Sequence, residues 1–293
     1  MITIIKIRCI KLNYKLIICI VLAILILSTV LLIYCSASED EEKEIEVPII
    51  MYHSILKEKA RSGKYTVTPD TFEQDLKYIS SKGYTTITMT ELINYVYNNE
   101  QLPEKPIIIT FDDGYYNNFG YVIPILKKYN MKAVVSIVGE YTDRFTKTGE
   151  ANLNYGYMRW EDIKEAMEDG TIEFQNHTYS MHSNTGSRKG TMKKKGESIE
   201  KYKEVFISDI MKLQNEFKEN TNYVPNTFTY PFGAISKETT DFVKEMGFKS
   251  SLSCSSGVNK ITRDKECLYL LKRNNRPSNV SSEQFFKKLL VEE

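Results

Sequence analysis

Apolar and polar positions change rhythm many times along this chain. "VPIIMY" (47–52) and "PIIITF" (106–111) are short, almost wholly apolar runs, the pattern of strands covered on both faces. Between them the period lengthens. "PDTFEQDLKYISSKG" (69–83) sets Phe72, Leu76 and Ile79 on one side, with Pro69 suited to a first helical turn and Gly83 to its end. "ELINYVYNN" reads as another short helix, and one more is expected around 122–129. "KAVVSIV" reads as a strand followed by a tyrosine- and glycine-bearing loop. "WEDIKEAMEDG" (160–170) is a helix ended by Gly170, and "TIEFQ" is a strand leading into His177. A long helix is expected within 198–219, with others at 236–246 and 281–291; "TFTY", "KSSLS" and "CLYLLK" read as strands.

Strand and helix alternate about seven times, which predicts an α/β fold with a parallel sheet and helical crossovers. That many units within 47–293 fit an irregular (β/α) barrel of about seven parallel strands; a doubly wound open sheet is the alternative. No internal repeat or second domain is visible.

The first residues follow another pattern. The run 16–38, "LIICIVLAILILSTVLLIYCSAS", is 23 residues without a charge, and about 20 apolar residues span a bilayer core. Lys6, Arg8, Lys11 and Lys15 precede it, and the acidic "EDEEKEIE" (39–46) follows. The expectation is a short basic cytoplasmic segment (1–15), one transmembrane helix (16–38) and an acidic linker (39–46), with the rest of the chain outside the cell. A cleaved signal peptide is the rival, but signal cores usually run about 7–15 apolar residues. Basic and acidic side chains balance at 39 and 38, so bulk charge supplies no reason to expect a nucleic-acid partner. Cys254 and Cys267 are the cysteines beyond the leader, readable as one disulfide or as two buried thiols.

Histidine is scarce: only His53, His177 and His182. His53, the pair Asp112–Asp113 in "TFDDG" (110–114), and His177 each follow an apolar strand, and "YPFG" (230–233) closes another. In a parallel α/β fold such strand ends gather on one rim, where active sites form. Two adjacent carboxylates repel unless a cation lies near; one can then bind metal while the other serves as a base. Two imidazoles and a carboxylate are a common set for a divalent catalytic metal with positions open to water. On a regular helix a step of five turns side chains about 140° apart. "HTYSMH" therefore requires a π-type turn or an irregular loop to aim both imidazoles at one ion, and Met181 is the extra residue.

The ordered set "TFDDG", "HTYSMH", "YPFG" resembles the polysaccharide deacetylases of the NodB-homology type over about 47–293, and "MRWEDIKEAMEDGTIEFQNHT" is similar to the stretch ahead of that family's histidine motif. The resemblance implies an irregular (β/α) barrel that hydrolyses N-acetyl groups of an N-acetylglucosamine polymer, either poly-N-acetylglucosamine or peptidoglycan. It implies Asp112 as general base, with Asp113, His177 and His182 holding one divalent ion, zinc first, cobalt or nickel as alternatives. Tyr230, Pro231 and Phe232 become groove residues, with the Phe232 N–H as oxyanion donor, and Trp160 a candidate for sugar stacking. Two departures stand out. Thr229 occupies the place of the family's usual arginine, leaving Arg159 or Arg273 to orient Asp112. No histidine follows His182, so the general acid falls to His53, as in the similar poly-N-acetylglucosamine branch. A catalytically silent glycan-binding barrel and an esterase for another acetylated carbohydrate are the competing readings. The basic loop after His182, with Arg188, Lys189 and 193–195, reads either as a solvated loop or as a cationic rim.

Overall fold

The computed structural model describes residues 14–38 and 44–290. The basic residues ahead of Tyr14 and most of the acidic linker, 39–43, lie outside the described residues. The chain divides into two units, Met1–Lys43 and Glu44–Glu293. In the first, α1 (Tyr14–Ser38) is helical, and its large apolar side chains described between Ile17 and Leu31 are exposed. Among the described residues no helix is long and apolar enough to cross a membrane.

The second unit is built on parallel strands: β1 (Ile49–Tyr52), β2 (Thr85–Thr86), β3 (Pro106–Asp113), β4 (Ala133–Ile137), β5 (Ile172–Asn176), β6 (Thr227–Thr229), β7 (Ser250–Leu252) and β8 (Asn274–Asn275). Seven follow one path, β7-β6-β5-β4-β3-β1-β8, and β2 pairs with the start of β3. A parallel bridge from Leu252 to Leu271, just ahead of β8, joins the two ends of the path. The expected α/β barrel of about seven parallel strands is therefore the architecture, and its irregularity lies at this thin closure.

Alternation along the strands sorts the core. Ile50, Ile109, Phe111, Val135 and Phe174 face outward onto Phe72 and Leu76 of α2 (Pro69–Ser81), Leu126 and Ile163. Ile49, Ile108, Val134 and Leu252 face the other way and pack with Met89, Leu92 and Val96 of α3 (Met89–Asn98). The Glu173 carboxylate accepts hydrogen bonds from the Met89 and Thr90 N–H groups, satisfying donors at the helix start and seating α3 under the N-terminal strand ends.

Helices α4 (Ile123–Tyr129), α5 (Gly139–Thr148), α6 (Trp160–Met167), α7 (Ile199–Thr221), α8 (Thr239–Glu245) and α9 (Ser282–Phe286) complete the layer. Three expectations fail locally. The segment after β4 is helix α5 rather than a loop, because Thr142 and Phe145 are buried there despite poor helix propensity. "CLYLLK" is no strand: Lys265–Leu268 is a 3-10 turn, with only Leu271 bridging onward. The end of the acidic linker is a strand, Ile45–Val47, paired antiparallel with Asn259–Ile261.

Candidate active site

Strand β3 ends in the two carboxylates. On a regular strand neighbours point to opposite faces, so Asp112 would face the barrel interior with Thr110, and Asp113 outward with Phe111. Asp113 instead has φ 73° and Gly114 φ 75°, a left-handed turn that carries the second carboxylate back to the same rim. Gly114 is required twice over: a Cβ there would also lie 2.8 Å from the Ile137 side chain.

His177 leaves the end of β5 and His182 follows on an irregular loop, the second of the two geometries the five-residue step allowed. That loop is held from both sides. The Tyr179 and Ser180 N–H groups each donate to the Asp209 carboxylate of α7 at 2.9 Å. Met181 is buried against Phe206, Phe228 and Tyr230, so the extra residue is the loop's apolar anchor. The result places His182 Nε2 at 3.1 Å and His177 Nε2 at 3.6 Å from Asp113 Oδ1. Among the described residues, one ligand atom from each of Asp113, His177 and His182 lies within 4.8 Å of the others. His177 Nδ1 lies 2.7 Å from the Thr229 carbonyl, which fixes that nitrogen as the donor and leaves Nε2 its lone pair. Burial pushes the His177 pKa down to about 4, only partly opposed by Asp112, so the ring is the neutral form a metal takes. The donor set fits a divalent ion.

Asp112 is fixed by Arg273, whose Nη1 and Nη2 reach its two oxygens at 2.6 and 2.8 Å. Arg273 Nε donates to the Ser253 carbonyl at 2.8 Å, and the whole side chain is buried. Burial alone would raise the Asp112 carboxyl, but Arg273, helped by His177 and His53, holds it well below the usual carboxylate range. Arg159, the other candidate for this task, is engaged elsewhere: its Nη2 pairs with Asp162 at 2.7 Å, capping α6. Thr229, in place of the usual arginine, meets Ser136 hydroxyl to hydroxyl at 2.7 Å.

A cavity of about 730 Å³ opens over these groups, lined by His53, Asp112, Asp113, His177, His182 and Phe232, and also by Tyr65, Tyr115 and Cys254. His53 stacks on Tyr65 with ring centroids 4.7 Å apart, and its Nδ1 is buried with no hydrogen-bond partner. Phe232, 39% exposed, lies 4.6 Å from the His182 ring, centroid to centroid. The turn at 230–234 bonds through the Gly233 and Ala234 N–H groups and does not use that of Phe232. Tyr115 stacks on Tyr157 at 4.8 Å, and burial, with Asp113's charge second, raises its hydroxyl pKa.

Three expected groove residues are elsewhere. Tyr230 is buried among Phe228, Phe242 and Met181, because alternation on β6 turns Thr229 inward and Tyr230 outward. Pro231 is buried beside it. Trp160 lies in the outer core, edge-on to Phe217, with its indole N–H donated to Asp143 at 2.9 Å. Cys254 and Cys267 are both free thiols. Tyr115 could have been found as the residue directly after the "DDG" turn. Tyr65 stands in an irregular stretch between β1 and α2 and left no periodic signal.

The family model described as polysaccharide deacetylase matches residues 99–251. Among curated relatives, the poly-beta-1,6-N-acetyl-D-glucosamine N-deacetylase of Escherichia coli is 22% identical over 227 residues, 71% of this chain and 34% of its own. The protein of that name from Staphylococcus aureus is 26% identical over 190 residues, 64% of this chain and 61% of its own. The chain thus spans about a third of the first relative and under two thirds of the second. Among solved structures, a Streptococcus pyogenes deacetylase in complex with acetate matches with TM-score 0.68 at 22% identity, over 85% of this chain and 100% of that one. A de-N-acetylase from Aggregatibacter actinomycetemcomitans matches with TM-score 0.69 at 22% identity, over 81% of this chain and 97% of that one. At such identity these two likenesses speak for the fold.

Proposed function

We propose, since this chain belongs to the polysaccharide deacetylase family, that it removes acetyl groups from an N-acetylglucosamine polymer outside the cell. One observation carries the reading. A buried carboxylate gripped by arginine and a separate Asp–His–His donor set open on one cavity, with a third histidine beside them. The curated relatives named above support the substrate class.

Asp113, His177 and His182 would hold the metal, zinc by preference for this nitrogen and oxygen set. When bound, that ion supplies Lewis-acid polarisation of the acetamide carbonyl and a lowered pKa for water. Asp112 acts as general base: Arg273 keeps it ionised and aims it while it takes the proton of the attacking water. The water oxygen joins the carbonyl carbon, and the Phe232 N–H serves the developing oxyanion. His53 serves as general acid, giving a proton to the sugar nitrogen as the carbon–nitrogen bond breaks, leaving acetate and an amine. The loss of the family's motif arginine counts little toward a silent glycan-binding barrel, because Arg273 does that arginine's work from the other end of the chain. The apolar run 16–38, with its basic flank, supports a membrane anchor that leaves the barrel outside.

The test is acetate release by the metal-loaded chain from poly-N-acetylglucosamine and from peptidoglycan, beside Asp112→Asn. Release from either polymer that vanishes in the variant is expected. Release that persists in Asp112→Asn, or none from either polymer while one equivalent of metal is bound, would sink the reading.

A further inference from the structure

Two lysines line the cavity without a part in the hydrolysis. Lys64 stands on the His53 side, next to Tyr65, and its ammonium lies 4.9 Å from the centre of that ring. Lys189 stands on the His182 side. Neither is spent on a carboxylate among the described residues, whereas Arg188, one residue away, is paired with Glu197 at 2.5 Å. The cavity's own acids are also taken: Asp112 by Arg273, and Asp113 by the two imidazoles it faces.

Both lysines are held at the backbone. The Lys64 carbonyl accepts from Asn275 Nδ2 at 2.7 Å, and the Tyr65 carbonyl from the Ser54 N–H at 3.1 Å. Gly190, beside Lys189, donates to the Ser183 carbonyl at 2.7 Å. It packs so closely on the 231–232 turn that a Cβ would come within 2.9 Å of the Pro231 carbonyl. Ammonium groups carried on two backbone-anchored segments of the cavity wall act on whatever the neighbouring sugars carry.

We propose that Lys64 and Lys189 make this site selective for N-acetylglucosamine chains with a negative charge on the sugars flanking the one deacetylated. The inference rests on the deacetylase reading above and names its substrate class: a sugar-borne carboxylate or phosphate ester. The same field disfavours a flanking ammonium, so each deacetylation lowers the rate at the next sugar.

The experiment compares kcat/KM of the full metal-loaded chain in detergent on β-1,4 tetrasaccharides. One is chitotetraose. A second carries lactyl carboxylates on alternate sugars, a third their methyl esters, a fourth 6-phosphates, and a fifth one glucosamine beside the target. A unit charge near 4 Å in water changes a rate by about fivefold. At low salt the carboxylate or phosphate tetramer should exceed chitotetraose by about that factor per charge, the preferred one identifying the source. The methyl ester should match chitotetraose and the glucosamine tetramer should fall below it. High salt should erase the differences. In the Lys64→Ala/Lys189→Ala variant the ratio of anionic to neutral substrate should approach one. Equal rates on neutral and anionic tetramers, or a preference that survives the double variant, would overturn the selectivity. Acetate from no tetramer, while poly-N-acetylglucosamine does release it, would overturn the selectivity alone; acetate from neither would overturn the deacetylase reading with it.

Discussion

Two buried arginine–aspartate pairs leave the same short segment and end in different surroundings. Arg273 grips Asp112 at 2.6 and 2.8 Å, and Arg276 grips Asp75 at 2.9 and 3.0 Å. Both guanidinium groups are fully buried. Three positions apart on an extended segment, the two side chains leave on opposite faces. Arg273 therefore enters the barrel interior, while Arg276 turns outward to α2. Asp75 is sealed there, with the Tyr52 hydroxyl donating to it at 2.8 Å. Asp112 ends a strand, borders the cavity and feels two histidines. Burial and pairing are common to both; a place on the cavity wall and neighbouring imidazoles distinguish the Asp112 pair from the Asp75 pair.

The largest way to break this comparison is to remove each aspartate. Asp112→Asn should lower acetate release by about 1,000-fold, since positioned general bases contribute roughly 100- to 10,000-fold. Asp75→Ala should leave kcat per folded molecule within about twofold, while urea unfolding records a loss of about 3–5 kcal/mol for a broken buried pair. A large kcat loss in Asp75→Ala would erase the distinction.

Acid pH separates the regions next, because the cavity holds an imidazole buried in its neutral form. The folded pKa of His177, about 4, lies below the unfolded value of about 6.5. The unfolded chain thus binds more protons in that window, and stability falls as pH drops from 6.5 toward 4. Across it the metal-free protein should lose on the order of 3 kcal/mol more than His177→Gln does. A slope unchanged in the variant would place its origin elsewhere.

Metal gives a third contrast. Zinc at about 100 times its Kd should stabilise the folded state by about 2.7 kcal/mol. The gain should persist in Asp75→Ala and disappear in His182→Gln, as read by thermal unfolding with and without chelator.

The mildest test keeps charge and removes one contact. Arg273→Lys loses the two-pronged hold on Asp112, and kcat should fall about tenfold with metal content unchanged. Arg276→Lys should shift the unfolding midpoint and leave kcat alone. Equal kinetic effects would mean that the segment acts as a unit.

Much of this was legible in one dimension. The apolar runs predicted the parallel strands, because a strand covered on both faces admits little else. The motifs at strand ends located one rim, because parallel strands deliver their C-terminal ends to the same side. The five-residue histidine step required a departure from helix, and Met181 marked its place. What failed was direction. Tyr230 and Trp160 read as groove residues, since an aromatic next to a motif looks alike whether it faces sugar or core. Alternation on β6 and the docking of α6 on α7 sent both inward to the protein.

The sequence by itself determined the alternating architecture, the pairing of a carboxylate turn with two histidines, and the apolar leader, because each is a local pattern. Tertiary structure decided which arginine holds Asp112, where the irregular histidine loop points its rings, and which two lysines border the cavity. Those facts join residues as far apart as Asp112 and Arg273. The thin closure of the barrel at β8 brings them together, and no spacing along the chain encodes it.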